Sequence, residues 1–261
     1  MIDSHCHIGM GTENTAEQVI KNALNSGVLS MLSVACSIPD YQVLLKLLDD
    51  YPMVYGAFGI HPESAGNLPS QDEFKKMIMA HPKLVGVGET GLDYHYMTED
   101  KITQQKAFEC QIEVSAQVQK PVIIHTREAD EDTISILQSA WHGGLLKSGG
   151  VLHCFTGTAK LAEKALEFGL HISASGVITF KNAEAIRTVF QMIPMDRLLV
   201  ETDSPYMAPV PYRGKENQPA YVVETARKLA EIKGVSLSEI ETVTSNNFNK
   251  LFNIMDVKNE N

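Results

Sequence analysis

The chain is poor in cysteine, in positive charge and in long apolar runs, and each shortage removes a class of protein. Its 261 residues include four cysteines, Cys6, Cys36, Cys110 and Cys154. Their spacing gives neither a CxxC pair nor a disulfide framework. They read as free, buried, reduced thiols, which fits a cytoplasmic location. Lysine and arginine number 22 against 32 acids, a net charge of −10. Such a surface repels polyanions and lacks the basic footprint of a non-specific nucleic-acid binder. A phosphate-bearing substrate must then be held locally, by metal and a few cations. No apolar run approaches a membrane span, and Met1 leads directly into a strand-like run, so neither anchor nor leader is expected. No linker, repeat or low-complexity block divides the chain, so residues 1–261 are expected to form one domain, with a disordered polar tail after Phe252.

What is present is alternation. Strand-like apolar runs occur at Met1–His7, Val28–Ala35, Met53–Ile60, Leu84–Glu89, Pro121–His125, Gly150–Cys154, Leu170–Ser175 and Arg197–Thr202. Amphipathic stretches lie between them, at Thr15–Ser26, Asp40–Asp50, Gln71–Ala80, Thr103–Gln119, Asp130–Trp141, Ala159–Phe168 and Ala183–Gln191. Two more helices, near Tyr221–Ile232 and Ser238–Phe252, end the pattern, and Ser236-x-x-Glu239 reads as a capping box for the last. Repeated β–α units predict a parallel sheet, and eight of them in this length predict a TIM-type (β/α)8 barrel with additional C-terminal helices. The alternative, an open doubly wound sheet, lacks its glycine fingerprint after the first strand.

Four histidines and two acids fall at the ends of these runs: His5 and His7 in IDSHCH, Glu89 in VGVGET, His125 in PVIIHT, His153 in GGVLHC and Asp203 in RLLVETDS. Side chains alternate along a strand, so His5 and His7 point one way and Cys6 the other. Barrel active sites collect residues from the carboxyl ends of several strands, and imidazoles and carboxylates are ligands for divalent metals. Glu89 is placed to bridge two ions. His5, His7, Glu89 and Asp203 are expected on one, and His125, His153 and Glu89 on the other. Two metals about 3.5–4 Å apart clamp attacking and leaving oxygens. Asp203 could also orient the attacking water or take its proton. Nitrogen and oxygen ligands without cysteine suit Mg, Mn or Zn.

At these positions the chain resembles the TatD family of metal-dependent deoxyribonucleases, within the amidohydrolase superfamily. The motifs are DSHCH (Asp3–His7), GIHPE (Gly59–Glu63), GETGLDY (Gly88–Tyr94), HTRE (His125–Glu128), HCFTG (His153–Gly157), ETDSPY (Glu201–Tyr206) and RGKENQP (Arg213–Pro219), spanning residue 1 to about 252. The resemblance implies a TIM-type barrel, a divalent-metal centre and hydrolysis, often of DNA, with ligands at His5, His7, Glu89, His125, His153 and Asp203. Two departures stand out. Thr90 replaces a more frequent isoleucine. Glu216 replaces a common arginine and puts a negative charge near an expected substrate loop.

Further residues have two readings each. His61, at the end of the third strand, contacts a phosphate or oxyanion, or bonds to loop backbone. Arg127 shares the face of His125 and pairs with a scissile phosphate, or with Glu128, Asp130 or Glu131. Arg213 and Lys215 contact phosphate or decorate a solvated turn. Asp93 could hold a ligating histidine in one tautomer on the substrate side of Glu89, and Tyr94 stacks on a base or packs in the ordinary way. Asp3 and Glu201 lie one layer deeper as partners of the ligands. His81, His95, His142 and His171 are expected to be structural or at the surface.

The sequence thus predicts a metal-dependent phosphodiesterase acting on DNA. Two alternatives stand beside it. One is a hydrolase of small esters, amides or lactones. The superfamily's small-molecule enzymes often use a carboxylated lysine on the fourth strand, where this chain has Glu89 and only Lys83 before the strand. The other is a metal-binding module without catalysis.

Overall fold

Local sequence sets the elements. In the computed structural model, which describes residues 1–254, eight strands are β1 (Ile2–Cys6), β2 (Ser30–Ala35), β3 (Val54–Phe58), β4 (Leu84–Asp93), β5 (Val122–Arg127), β6 (Gly150–Leu152), β7 (His171–Ala174) and β8 (Leu198–Val200). Between them run α1 (Ala16–Asn25), α2 (Ile38–Asp50), α3 (Gln71–Ile78), α4 (Lys101–Val118), α5 (Asp130–His142), α6 (Ala159–Glu167) and α7 (Glu184–Met192), and α8 (Val222–Lys233) and α9 (Leu237–Leu251) follow β8. Polar caps fix several helix starts. Thr15 and Gln18 exchange bonds in a capping box at α1, Asp100 takes the Ile102 and Thr103 N–H groups at α4, and Ser236 takes the Glu239 N–H at α9. The expected polar tail lies mostly beyond the described residues.

All neighbouring strands pair in parallel, in the order β1 to β8. The ring closes where Cys6 bridges Ser204 and the His7 N–H meets the Ser204 carbonyl at 2.8 Å. A buried carboxylate reinforces that seam. Asp3 accepts from the Thr202 N–H (2.9 Å) and hydroxyl (2.6 Å), and burial pushes its carboxyl well above the usual range.

Two apolar layers flank the sheet. The larger lies between strands and helices and includes Met31, Phe58, Phe74, Phe108, Leu137 and Phe190. The smaller is made by Leu32, Val34, Ala57, Ile123, Val151 and Leu199 together with Phe248, Leu251 and Phe252, so the end of α9 supplies the large side chains of this inner cluster. Alternation along β2 separates the layers: Met31 and Ala35 join the first, Leu32 and Val34 the second.

One boundary differs in a way that matters. The apolar run predicts that the fourth strand ends at Glu89, but β4 continues to Asp93. Its second half pairs with β5, with Gly91 opposite His125 and Asp93 opposite Arg127. Glu89 therefore sits within a strand, held on both sides, rather than at its tip.

Candidate metal centre

Glycine lets the strands come close enough to share a site. A Cβ on Gly88 would lie 2.4 Å from the Ile123 carbonyl oxygen, and one on Gly91 would lie 1.9 Å from that of His125. Both also have φ near +140°, which side-chain-bearing residues rarely adopt. Between them Glu89 projects inward, 4% exposed, and its two oxygens face different groups. Oε1 lies 2.7 Å from His153 Nε2, 2.9 Å from His125 Nδ1 and 3.5 Å from His61 Nε2. Oε2 lies 3.4 Å from His5 Nε2 and 3.8 Å from His7 Nε2. Asp203 completes the second group, with Oδ1 3.4 Å from His7 Nε2 and 3.9 Å from His5 Nε2. Its backbone is left-handed (φ 56°), as is that of Cys154 (φ 43°) beside His153, so two of the contributing loops turn sharply at the site.

Proton accounting shows what this arrangement needs. His7 Nδ1 is 2.9 Å from the Val34 carbonyl, which only accepts, so that nitrogen carries the proton and Nε2 turns a lone pair inward. His125 Nε2 is 3.0 Å from Asp93 Oδ2, so its Nδ1 lone pair faces Glu89 Oε1, another acceptor. His153 has carboxylates on both sides, Glu89 at Nε2 and Glu201 3.4 Å from Nδ1. His5 Nδ1 is buried with no hydrogen-bond partner among the described residues, and its Nε2 lies 3.3 Å from His7 Nε2. Lone pairs thus converge on the same space from several strands. Only protons or a cation reconcile them, and the donor set fits divalent cations held by imidazole and carboxylate.

Without a cation the groups neutralise one another. Burial disfavours charge on Glu89, yet His153, His61 and His125 hold its carboxyl well below the usual range. Burial works against His153 too, but Glu89 and Glu201 raise it well above the ordinary histidine value. His7 and His125 are raised against the cost of burial, chiefly by Asp203 and by Asp93 respectively. His5 is lowered by burial and by His153, whose ring stacks on it at 3.9 Å.

Comparison with known proteins follows the same line. The sequence model of the family described as TatD related DNase matches residues 2–253. The chain belongs to that family. It is 43% identical to the uncharacterized metal-dependent hydrolase YcfH of Escherichia coli K12 over 258 residues, covering 97% of this chain and 96% of that one. It is 37% identical to the uncharacterized metal-dependent hydrolase YabD of Bacillus subtilis over 256 residues, 97% and 99% of the two chains. The crystal structure of YJJV, a TatD homolog from Escherichia coli K12, superposes with a TM-score of 0.87 at 27% identity, over 98% of both chains.

Around the TatD-family centre, His5, His7, Glu89, His125, His153 and Asp203 come together, while the outer candidates divide. Asp93 is 2% exposed, bonds His125 and stands among the residues that line the mouth. Its other oxygen takes the His95 and Tyr96 N–H groups, and against burial the His125 bond and these donors bring it down to about 2. It holds a histidine at the floor of the cavity. His61 is fixed by backbone: Gln111 bonds both the N–H and the carbonyl of Ile60, and His61 Nδ1 accepts from the Glu63 N–H. Neutral His61 therefore keeps its proton on Nε2, which points at Glu89 as a donor. Gln111 also donates to the Thr90 hydroxyl at 2.7 Å, so the departure from isoleucine is accommodated within the same network.

Arg127 lines the mouth with its guanidinium 4.8 Å over the Tyr96 ring, and none of the ion pairs expected with Glu128, Asp130 or Glu131 forms among the described residues. Tyr94 and Arg213 are corrections. Alternation sends the Tyr94 phenol away from the centre to Asp132 and Gln105, with burial and Asp132 raising it to about 12. Arg213 lies on the Phe180 ring and donates to the Ala208 carbonyl. Glu216 is likewise engaged, accepting from the Thr12 N–H and hydroxyl and the Glu13 N–H, so its charge ties two loops together. Glu201 lies 3.4 Å from His153 Nδ1, and it also takes the Ser173 hydroxyl and the Cys154 N–H.

One residue escaped the sequence reading. Cys36 Sγ lies 3.4 Å from Glu89 Oε2. It continues the inward series Leu32, Val34, so the parity that selected the histidines would have found it had sulfur been admitted. The cavity above the centre is about 530 Å³ and is lined by Cys36, His61, Tyr96, Arg127, Asp203 and Tyr206 among others. A larger cavity of about 950 Å³ lies outside it, by Tyr94, Lys101 and the start of α5, and is lined by none of the clustered histidines.

Proposed function

We propose that the chain is a metal-dependent hydrolase of phosphodiester bonds, with DNA as its substrate class and two divalent cations, Mg, Mn or Zn, as cofactors. The observation that carries this is the division of the Glu89 carboxylate, one oxygen toward His125 and His153, the other toward His5 and His7. A bridging carboxylate between two ligand groups has that disposition. Divalent cations held there would make water acidic enough to attack near neutral pH and offset charge on an anionic ester.

The chain's own residues supply the rest. Asp203 reaches the cavity (its side chain 13% exposed) and is the base placed to orient water and take its proton. The His61 Nε2–H donor and the unpaired Arg127 guanidinium flank the same space, and both suit a phosphate. Asp93 and Glu201 hold His125 and His153. Purified protein is expected to release nucleotides from single-stranded DNA with added Mg or Mn, and His125→Ala and Asp203→Asn to abolish release. Cleavage by both variants at the parent rate would overturn the reading.

A second reading has an observation of its own. Asp40 and Glu63 line the mouth with Arg127 as its single arginine or lysine among the described residues, which suits a small neutral ester, amide or lactone better than a long polyanion. A panel comparing oligonucleotides with esters and lactones separates the two by kcat/KM.

A further inference from the structure

We propose that Cys36 supplies a sulfur ligand on the His5–His7 side of the centre and biases it toward thiophilic cations such as zinc, cadmium or cobalt(II). This rests on the metal-centre reading above and adds a ligand to it. Cys36 follows the last residue of β2, and the inward set Leu32, Val34 places it at the carboxyl mouth. Its Sγ is 3.4 Å from Glu89 Oε2, the oxygen that also faces His5 and His7. Ligand atoms of His7, Cys36 and Glu89 all lie within 4.8 Å of one another, close enough to share one coordination sphere.

Two features separate this from an ordinary packed thiol. The sulfur contacts a carboxylate and an imidazole and lines the cavity, whereas Cys6 bonds a strand carbonyl with no exposure at all. Independently, His7 Nδ1 is committed to the Val34 carbonyl, so the lone pair of Nε2, on a side chain only 5% exposed, meets nothing but acceptors and His5. Glu89 Oε2 links the two, 3.8 Å from that nitrogen and 3.4 Å from the sulfur, so a cation drawn to the nitrogen and this oxygen has the sulfur beside it. Thiolate ligands favour soft or borderline ions over Mg and Mn, so one sulfur in an otherwise N/O site shifts selectivity.

The test is spectroscopic. The metal-free full chain is titrated with cobalt(II). The proposal expects visible d–d absorption together with a near-ultraviolet sulfur-to-cobalt charge-transfer band, and Cys36→Ser is expected to lose that band while keeping the d–d absorption. The same variant should bind cadmium at least about tenfold more weakly and manganese almost unchanged. d–d absorption without the charge-transfer band in the parent, or a band that survives in Cys36→Ser, overturns the role of Cys36 and leaves the metal centre standing. No cobalt bound at all overturns the metal centre and this ligand with it.

Discussion

The two ends of the barrel use polar groups in opposite ways. At the amino end and in the interior, α9 brings Phe248, Leu251 and Phe252 against the inward side chains, and the polar groups are mostly committed: Asn247 donates to the carbonyls of Met195 and Leu198, and Asp3 to Thr202 forms the seam. At the carboxyl end, acceptors face acceptors around Glu89. One end is arranged to be stable by itself, and the other is arranged to be completed by something. The first therefore sets stability and the second sets chemistry, and changes at one should barely register at the other.

The largest effect expected is at the mouth. Glu89→Gln keeps the shape but removes the charge that both ligand groups face. Hydrolysis should fall at least about 10³-fold, with bound metal lost, and urea unfolding of the metal-free protein should change little or move toward greater stability. A metal assay and a single-stranded oligonucleotide assay read this directly. Near-parent activity would mean the bridging role is wrong.

The converse variant is Phe248→Ala. Phe248 is fully buried, so its truncation should cost about 3–5 kcal/mol in urea unfolding through lost burial and the cavity left behind. Metal content and kcat of the folded fraction should stay near the parent values. A large fall in metal affinity would show that the two ends are coupled and that the division drawn here is too simple.

A pH experiment sharpens the same contrast. His171 begins β7, at the end away from the centre, 4% exposed and with Nδ1 unpartnered. Burial, helped by Arg197, pushes it down to about 4. Unfolded histidine titrates near 6.5, so between these values the unfolded chain binds the extra proton. The His171 contribution is therefore flat above pH 7 and turns destabilising as pH falls from about 6.5 toward 4, by roughly 2–3 kcal/mol in total. His171→Gln should flatten that limb in metal-free protein. His153 works with the opposite sign: its contribution is full below about 6.5, the unfolded value, and is lost as pH rises through the higher value that Glu89 and Glu201 give it in the folded chain. An unchanged acid limb in His171→Gln would assign the slope to the mouth groups whose values are lowered, His5, Glu89 and Asp203.

How much of this was legible follows from what kind of information each feature needs. The strands and α-helices of the described residues were readable because each is signalled locally, by apolar alternation and caps. The cluster was readable because its six members follow one pattern in the sequence, a ligand-type residue closing an apolar run. The extension of β4 was not, because GLD carries no apolar run and is held in the sheet by pairing with β5, a non-local fact. Tyr94 was over-read for a related reason. Standing next to Asp93 in sequence puts it on the opposite face, against Asp132. Glu216 looked like a repulsive charge at a substrate loop because its partners, the amides of Thr12 and Glu13, are some two hundred residues away. Cys36 also closes an apolar run, but a lone cysteine with no CxxC partner reads as a buried thiol, and its approach to Glu89 is a non-local fact.

The smallest effect bears on how the mouth keeps its lone pairs aimed. Asp93 accepts from His125 Nε2 at 3.0 Å and is anchored by the N–H groups of His95 and Tyr96, while Gln104 bonds both the Asp93 N–H and its carbonyl. In Asp93→Asn the amide can still accept from His125 through its oxygen, so the ring need not move, but the negative charge that favours Nε2–H and makes Nδ1 a better donor is gone. Metal affinity should then fall about 10–100-fold, with kcat at saturating metal falling less. Asp93→Ala, which frees the ring, should lower both. Equal losses in the two variants would mean that Asp93 acts through shape alone, and the mouth would then differ from the base in its ligands but not in the electrostatics that orient them.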